Sequence, residues 1–320
     1  MHVHLIHPPA ATDRAVLRAG LPESVRLTEG KTVPAETDIL VSGRPDRVQL
    51  TAGLSGLVIP YAGLPGSTRS LLQACRPDLP IYNLHHNAPV VAEMALALLL
   101  AVTRYLLPMD RALRASDWRA RYLPDPAFSL AGRAVLILGF GAIGRRLAVP
   151  LQALGARVIA TRRHLSSPTV VDGVAVHPAS SLDALLPDAA AVVVALPHTP
   201  ETDGLLGARR LSLLPEGAAL VNVARARIID EEALFSALQS GQLCGAGLDV
   251  WYQYPRSPLL RADSPPCRMP LWELPNVVFS PHRAGHVQGI EALRMQALSV
   301  LLAKLAAGRA VPRVRLQEGY

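Results

Sequence analysis

The stretch Ala134–Arg146, AVLILGFGAIGRR, decides the fold. Ala134 to Leu138 is an unbroken apolar run with the length and composition of a strand buried on both faces. Glycines follow at G-x-G-x-x-G spacing, at Gly139, Gly141 and Gly144. The first permits a tight turn, the second lets backbone approach a pyrophosphate, and the third lets the next helix pack on the strand. The amides of Ala142 and Ile143, at the start of that helix, are then placed to hold phosphate oxygens. This spacing also occurs at ordinary turns, so the context matters. The expected helix Ile143–Leu154 is closed by Gly155, and a second strand, Arg157–Thr161, follows as a βαβ unit requires.

The end of that second strand bears on which dinucleotide is bound. A site for NAD usually places an Asp or Glu there to bind the ribose 2′-hydroxyl, whereas a 2′-phosphate calls for cationic groups. Here Thr161 is followed by Arg162 and Arg163, and no carboxylate lies between Leu151 and Val171. A guanidinium grips a phosphate with two charge-assisted hydrogen bonds, while an acid would repel it. The expectation is NADP(H) in preference to NAD(H).

Composition sets the outer bounds. A chain of 320 residues suits two domains, and with half its residues hydrophobic and 18% charged it reads as globular. The net charge of +7 does not signal nucleic acid, because the cations are scattered arginines, with only Lys31 and Lys304 as lysines, and form no basic run. Cys75, Cys244 and Cys267 lie far apart without metal spacing and fit a reducing cytosol. The N-terminus MHVHLIHPP lacks the pattern of a signal peptide. The most apolar stretch, Val90 to Leu107, carries Glu93 and Arg104 and reads as a long buried helix, not a membrane span. A cytoplasmic protein without membrane partner is expected.

Before residue 88, short apolar runs at Val3–Ile6, Ile39–Val41, Leu57–Ile59 and Ile81–Tyr82 alternate with helical stretches, as in a small parallel-sheet domain. The bend Pro60–Pro65 sits where a strand ends, which makes the backbone at Ala62 and Gly63 a candidate carboxylate site or a simple turn. The His pair in Asn83–Asn87, NLHHN, lacks further ligands at useful spacing, and no metal is expected. Trp118, before the proline-broken segment Leu123–Phe128, reads as packing. Further on, a strand at Ala191–Ala195 leads into LPHTPET, placing Pro197 and Thr202 on the cofactor side of the sheet. The strand Ala218–Val223 runs into Ala224 and Arg225, and an arginine there can face a substrate carboxylate. Asp230, Glu231 and Glu232 suit the positive end of a helix dipole. The last strands end in Asp249 and in Pro281-His282.

Read together, GFGAIG, LPHTPET, NVARARIIDEEALFSALQSGQLCGAGLDVW and NVVFSPHRAG resemble the D-isomer-specific 2-hydroxyacid dehydrogenases, in order and spacing. The resemblance is dense from Asn87 to Gly285 and looser before it. It implies an α/β protein of two Rossmann-like domains. A flavodoxin-like substrate domain would take residues 1–88 and 287–320, and a doubly wound NAD(P)-binding domain residues 89–286. It implies a homodimer whose interface uses the long helix near Val90. It also implies that Arg225 binds the 2-oxoacid carboxylate, that His282 is the acid/base, and that Ala62 and Gly63 bind substrate. Asp249, Ala224 and Gly285 would then lie at the cofactor.

Transfer of a hydride to a 2-oxoacid leaves an alkoxide that must gain a proton, which a histidine supplies near neutral pH. At one position the chain departs from this family, which usually has Glu five residues after the LDV aspartate; here that residue is Tyr254. A phenol can orient an imidazole but brings no charge at neutral pH, so reduction is expected to fall as pH rises past about 6.5. Asn87 matches a substrate-binding asparagine of the related formate dehydrogenases, which keeps a non-hydroxyacid substrate open. A cofactor-sensing binding protein on the same fold is a further alternative. The favoured expectation is an NADPH-dependent reductase of small 2-oxoacids of the glyoxylate and hydroxypyruvate type. Substrate side-chain preference would then depend on loops around Tyr61, Trp251 and Tyr252.

Overall fold

Parallel strands arise here from apolar runs that cannot face water on either side, so each sheet is covered by helices on both faces. The computed structural model describes residues 1–122, 124 and 126–319. Leu123 and Asp125 of the proline-broken segment, and Tyr320, lie outside the described residues. The chain divides into two units, 1–87 with 286–320, and 88–285.

The first unit begins with β1 (His2–Leu5), α1 (Ala11–Ala19), β2 (Arg26–Glu29), β3 (Ile39–Val41), β4 (Gly56–Ile59), α2 (Gly66–Cys75) and β5 (Ile81–Asn83). The second contains α3 (Ala88–Thr103), α4 (Leu106–Arg114), β6 (Ala134–Leu138), α5 (Ala142–Ala153), β7 (Arg157–Arg162), β8 (Thr169–Val171) and β9 (Val174–Pro178). It continues with α6 (Leu182–Leu185), β10 (Ala189–Val194), α7 (Ala208–Leu211), β11 (Ala218–Asn222), α8 (Glu231–Gln239), β12 (Leu243–Leu248) and β13 (Val277–Phe279). The chain then re-enters the first unit with α9 (Ile290–Ala306).

In the first unit the strand order is β2-β1-β3-β4-β5, all parallel, the flavodoxin-like arrangement. Leu17 of α1 and Leu298 and Leu302 of α9 share one core with Val3 and Val58, while Leu72 of α2 packs with Leu40, Leu57 and Ile59 on the opposite face. Burying each such side chain stabilises by about 1.5–3 kcal/mol. In the second unit the order is β13-β12-β11-β10-β6-β7-β9-β8, parallel except for the β8–β9 hairpin. All five residues of β6 are buried at the middle of this doubly wound sheet.

Four features differ from the sequence reading. Strand β2 and the β8–β9 hairpin add to the expected strands. The long helix stops at Thr103, Tyr105 takes a left-handed φ of 51°, and α4 leaves in a new direction. Trp118 is 62% exposed and so does not pack into this chain's core; Leu106, Leu113 and Tyr122 nearby are exposed as well. Glu231, read as a dipole-neutralising acid, is 5% exposed, and its carboxylate accepts the amides of Arg268 and Met269. It braces the 253–274 loop instead of facing water.

Candidate active site

The residues that the sequence singles out in the second unit follow the carboxyl ends of its parallel strands. At the end of β6, Gly139 has a φ of 99°, and a Cβ there would meet the Ala195 carbonyl oxygen at 2.7 Å. A Cβ on Gly144 would collide with the Gly139 carbonyl, so α5 packs close only because residue 144 has none. Gly141 faces open space, with nothing within 4 Å of a built Cβ. A pyrophosphate can therefore approach the backbone where α5 begins, and no acidic side chain occupies the first turn to repel it. The amides of Gly139 and Phe140 donate to the Thr161 carbonyl, at 3.2 and 3.0 Å, tying the glycine loop to the end of β7.

Strand β7 runs through Arg162, whose side chain is exposed and has no carboxylate partner among the described residues. Arg163 is engaged differently. Its Nε lies 3.2 Å from His164 Nε2, and its charge helps hold the Glu201 carboxyl below the usual range, after a hydrogen bond from Thr199. Across the sheet, the Thr202 hydroxyl donates to the Pro197 carbonyl at 2.8 Å and accepts the Thr199 amide at 2.7 Å, so it closes the LPHTPET loop upon itself.

At the end of β11, the buried Asn222 sets a turn by accepting the Ala224 amide and donating to the Arg225 carbonyl, both at 3.0 Å. This projects the Arg225 side chain out of the sheet, exposed, with Nη1 donating to the Ala224 carbonyl at 2.6 Å.

His282 is held by a neighbour's carboxylate. Asp249, 1% exposed at the end of β12, accepts the Arg283 amide at 2.8 Å, the Ala284 amide at 3.0 and 3.1 Å on its two oxygens, and the Ser280 hydroxyl. The turn so clamped gives His282 a left-handed φ of 56°, an uncommon conformation that needs such support. Gly285 follows directly and ends this unit. Trp251 reinforces the turn: its Nε1 donates to the Ser280 carbonyl at 2.8 Å while its ring stacks on Phe279 at 4.7 Å between centroids. Tyr252 is likewise committed, its hydroxyl donating to the Ile229 carbonyl at 2.9 Å.

Tyr254 lies 2.9 Å from His282, Oη to Nδ1, and its oxygen accepts the Trp251 amide at 3.1 Å. Burial raises the phenol's ionisation above its ordinary range, opposed by the Trp251 amide and by Arg225, so the phenol keeps its hydrogen at neutral pH. With the amide on one lone pair, the arrangement that uses every hydrogen has Oη–H donating to Nδ1. That assigns the neutral ring proton of His282 to Nε2. Strands β11, β12 and β13 are neighbours in the sheet, so the segments that follow them, carrying Arg225, Tyr254 and His282, emerge side by side.

Ala62, Gly63 and Asn87 belong to the first unit. Asn83 Nδ2 donates to the Ala62 carbonyl, which pins the bend. The Ala62 and Gly63 amides have no acceptor among the described residues, as a carboxylate cradle requires. Asn222, Ser280 and the clamp made by Asp249 were not legible as site residues beforehand; an Asn just before the Ala224-Arg225 turn is the one local signal.

Among the described residues no group of three or more His, Cys, Asp or Glu side chains could hold a metal ion, and no single helix is long and apolar enough to cross a membrane.

Residues 96–284 match the profile of the D-isomer specific 2-hydroxyacid dehydrogenase NAD binding domain. D-3-phosphoglycerate dehydrogenase of Mycobacterium leprae (strain TN) is 32% identical over 272 residues, 84% of this chain and 47% of that protein. Glyoxylate reductase of Thermococcus onnurineus (strain NA1) is 35% identical over 203 residues, 62% of this chain and 57% of the relative. The chain thus spans about half the length of the curated relatives it matches. The crystal structure of a D-isomer specific 2-hydroxyacid dehydrogenase from Xanthobacter autotrophicus Py2, in complex with NADPH and MES, superposes with a TM-score of 0.80 at 27% identity. That match covers 100% of this chain and 99% of the other.

Proposed function

Since the chain belongs to the D-isomer specific 2-hydroxyacid dehydrogenase family, we propose that it is an NADP(H)-dependent reductase of small 2-oxoacids of the glyoxylate and hydroxypyruvate type, forming D-2-hydroxy acids. The observation that carries this reading is the 2.9 Å Tyr254–His282 pair, in the segments after β12 and β13, with β11, which leads into Arg225, next to β12 in the same sheet.

The glycine loop fits a dinucleotide: Gly139 turns, Gly141 leaves room, and the start of α5 offers amides. Residues 139, 141–144 and 161 would hold it, with Arg162 on the 2′-phosphate and Arg163 beside it, and the 197–202 loop, Ala224, Asp249 and Gly285 lining the far side. When bound, the reduced nicotinamide supplies the hydride. Arg225 fixes the 2-oxoacid through its carboxylate and polarises the keto oxygen, which converts binding energy into orientation. His282 gives the proton that the new alkoxide needs, from Nε2. Tyr254 fixes the ring from the other side. In the first unit, Ala62 and Gly63 offer amides to a substrate carboxylate, and Asn87 offers its amide group. A homodimer is proposed as well, with the exposed Leu113 and Trp118 in its interface. Sedimentation of Trp118→Asp as a monomer, against a dimeric parent, would support it.

The deciding experiment follows the loss of reduced-nicotinamide absorbance with NADPH or NADH and a panel of glyoxylate, hydroxypyruvate, pyruvate and phenylpyruvate. Turnover that drops by about a hundredfold or more in His282→Ala is expected. Tight NADPH binding without turnover on any oxoacid would overturn the reading in favour of a cofactor sensor.

A further inference from the structure

Resting on the reading of this chain as a dinucleotide-dependent 2-oxoacid reductase, we propose that Asp203 is a positioning residue that ties the 197–202 loop to the turn carrying Arg225. A bound dinucleotide thereby raises the affinity for the substrate carboxylate. Both segments lie within the second unit. Strand β10 leads into the first and β11 into the second, and the two strands are neighbours in the sheet.

The backbone supplies a frame for this link. The Thr199 carbonyl accepts the amides of both Thr202 and Asp203 at 3.0 Å, which carries the closed loop directly into Asp203. The chain then turns at Gly204, φ 61°, and runs alongside the residues after Arg225. The Gly204 amide donates to the Arg227 carbonyl at 2.8 Å, the Leu206 amide to the Ile228 carbonyl at 3.0 Å, and the Asp230 amide to the Leu206 carbonyl at 3.1 Å. Leu206, Ile228 and Ile229 are at most 1% exposed, which anchors the paired segments in the core. The Arg225 carbonyl is held from both sides, by Asn222 Nδ2 at 3.0 Å and the Ile228 amide at 3.3 Å.

The Asp203 side chain spans the same gap. Its Oδ1 accepts from His198 Nε2 at 2.7 Å and from Arg227 Nε at 3.0 Å, and its Oδ2 accepts from Arg227 Nη2 at 3.1 Å. His198 and then Arg227 hold the carboxyl below the usual carboxylate range, so it is ionised and can only accept, which puts a hydrogen on His198 Nε2. One carboxylate therefore grips a residue of the loop and, by a two-point fork, the residue two positions after Arg225. The Asp203 and Arg227 side chains are 40% and 70% exposed, and an ion pair so placed adds little to stability. What it fixes is the position of the loop relative to the Arg225 turn. By linkage, the factor by which the dinucleotide tightens the substrate is also the factor by which the substrate tightens the dinucleotide.

Calorimetric titration of the full chain with oxamate, a 2-oxoacid analogue that is not reduced, is run with and without NADPH. We expect NADPH to tighten oxamate about tenfold in the parent protein, by a factor that shrinks as salt rises. That factor should fall toward one in Asp203→Ala and in Arg227→Ala, and the double variant should lose no more than either single one. A merely structural role would lower Tm and weaken oxamate equally with and without NADPH. Such equal weakening, additive losses in the double variant, or oxamate binding that NADPH does not tighten in the parent would overturn the coupling. Hydrogen exchange with NADPH alone reads the same link without a substrate. Exchange should slow at 197–206 and at 225–230 in the parent, and at 197–206 alone in Asp203→Ala; the same pattern in both proteins would overturn the link. Oxamate that fails to bind even with NADPH, together with no turnover on any oxoacid, removes the reductase reading, and the exchange pattern then decides whether Asp203 joins the two segments.

Discussion

Replacing Tyr254 by Glu should move the pH at which reduction fails. In the parent protein the Oη of Tyr254 receives the Trp251 amide at 3.1 Å and gives its hydrogen to His282 Nδ1 at 2.9 Å. To protonate His282 at Nδ1, that hydrogen must turn away. A carboxylate has no hydrogen to give and accepts from Nδ1–H, adding a charge-assisted hydrogen bond to the imidazolium worth about 1.5–3 kcal/mol. At about 1.4 kcal/mol per pH unit, the fall in kcat/KM should move up by about 1–2 pH units. The sign is fixed by the chemistry. Reduction needs the protonated ring, so activity is present at low pH and lost as pH rises through the ionisation of His282. A second consequence concerns direction: oxidation of a hydroxy acid needs a free Nε2 lone pair, which the tautomer set by Tyr254 withholds. Tyr254→Glu should therefore gain in oxidation relative to reduction. The assay is kcat/KM for glyoxylate with NADPH from pH 5 to 10, for the parent, Tyr254→Glu and Tyr254→Phe. Superimposable profiles for all three would refute the reasoning, and nitrogen NMR of the His282 ring would test the tautomer directly.

Other residues make further predictions. Arg162→Asp replaces a cation that has no carboxylate partner among the described residues by an acid at the end of β7, and should lower the NADPH-to-NADH ratio of kcat/KM by about 10–100-fold; an unchanged ratio would exclude Arg162 from selecting the cofactor. Gly144→Ala drives a methyl group against the Gly139 carbonyl and, at 3.1 Å, Ile137 Cγ2. It should destabilise the protein by about 1–3 kcal/mol, read as a lower Tm with weakened dinucleotide binding. His86, held neutral with its ionisation near about 4 against 6.5 when free, contributes stability that is full above pH 6.5 and lost as pH falls through about 4. At most about 3 kcal/mol is at stake, and the acid side of the Tm profile should be flatter in His86→Gln; parallel profiles would contradict this.

Much of the fold was legible because two signals were local. The apolar run Ala134–Leu138 and the three glycines after it define a buried strand, a turn and a helix start without reference to anything distant. The elements that were missed lacked such a signal or had one that passed unused. Strand β2, Arg26–Glu29, has a single buried residue and lies at the sheet edge, paired among the described residues with β1 alone; its pattern could not announce it. The β8–β9 hairpin did carry a signal. Asp172 and Gly173 take φ values of 50° and 74° between β-prone residues, the Asp-Gly turn that favours a hairpin. Arg145 of α5 then fastens the tip through Asp172 at 2.7 Å.

For the site, sequence singles out candidate groups and tertiary structure shows what holds them. Arg225 and His282 stand out because each follows a strand end, yet nothing in the chain order shows that Asp249 spends both oxygens on the turn holding His282 in a left-handed conformation. The same holds for Tyr254. Its spacing from Asp249 shows that a phenol stands where the family usually has a carboxylate, and spacing alone leaves open whether it gives or takes a hydrogen. The Trp251 amide takes one lone pair of the phenol oxygen, and giving the phenol hydrogen to His282 is then the arrangement that uses every hydrogen of the pair. A residue three positions before Tyr254 is thereby linked through the phenol to an imidazole 28 positions after it. Removing the phenol hydrogen while keeping an acceptor, as Tyr254→Glu does, separates these two roles where truncation to alanine would erase both.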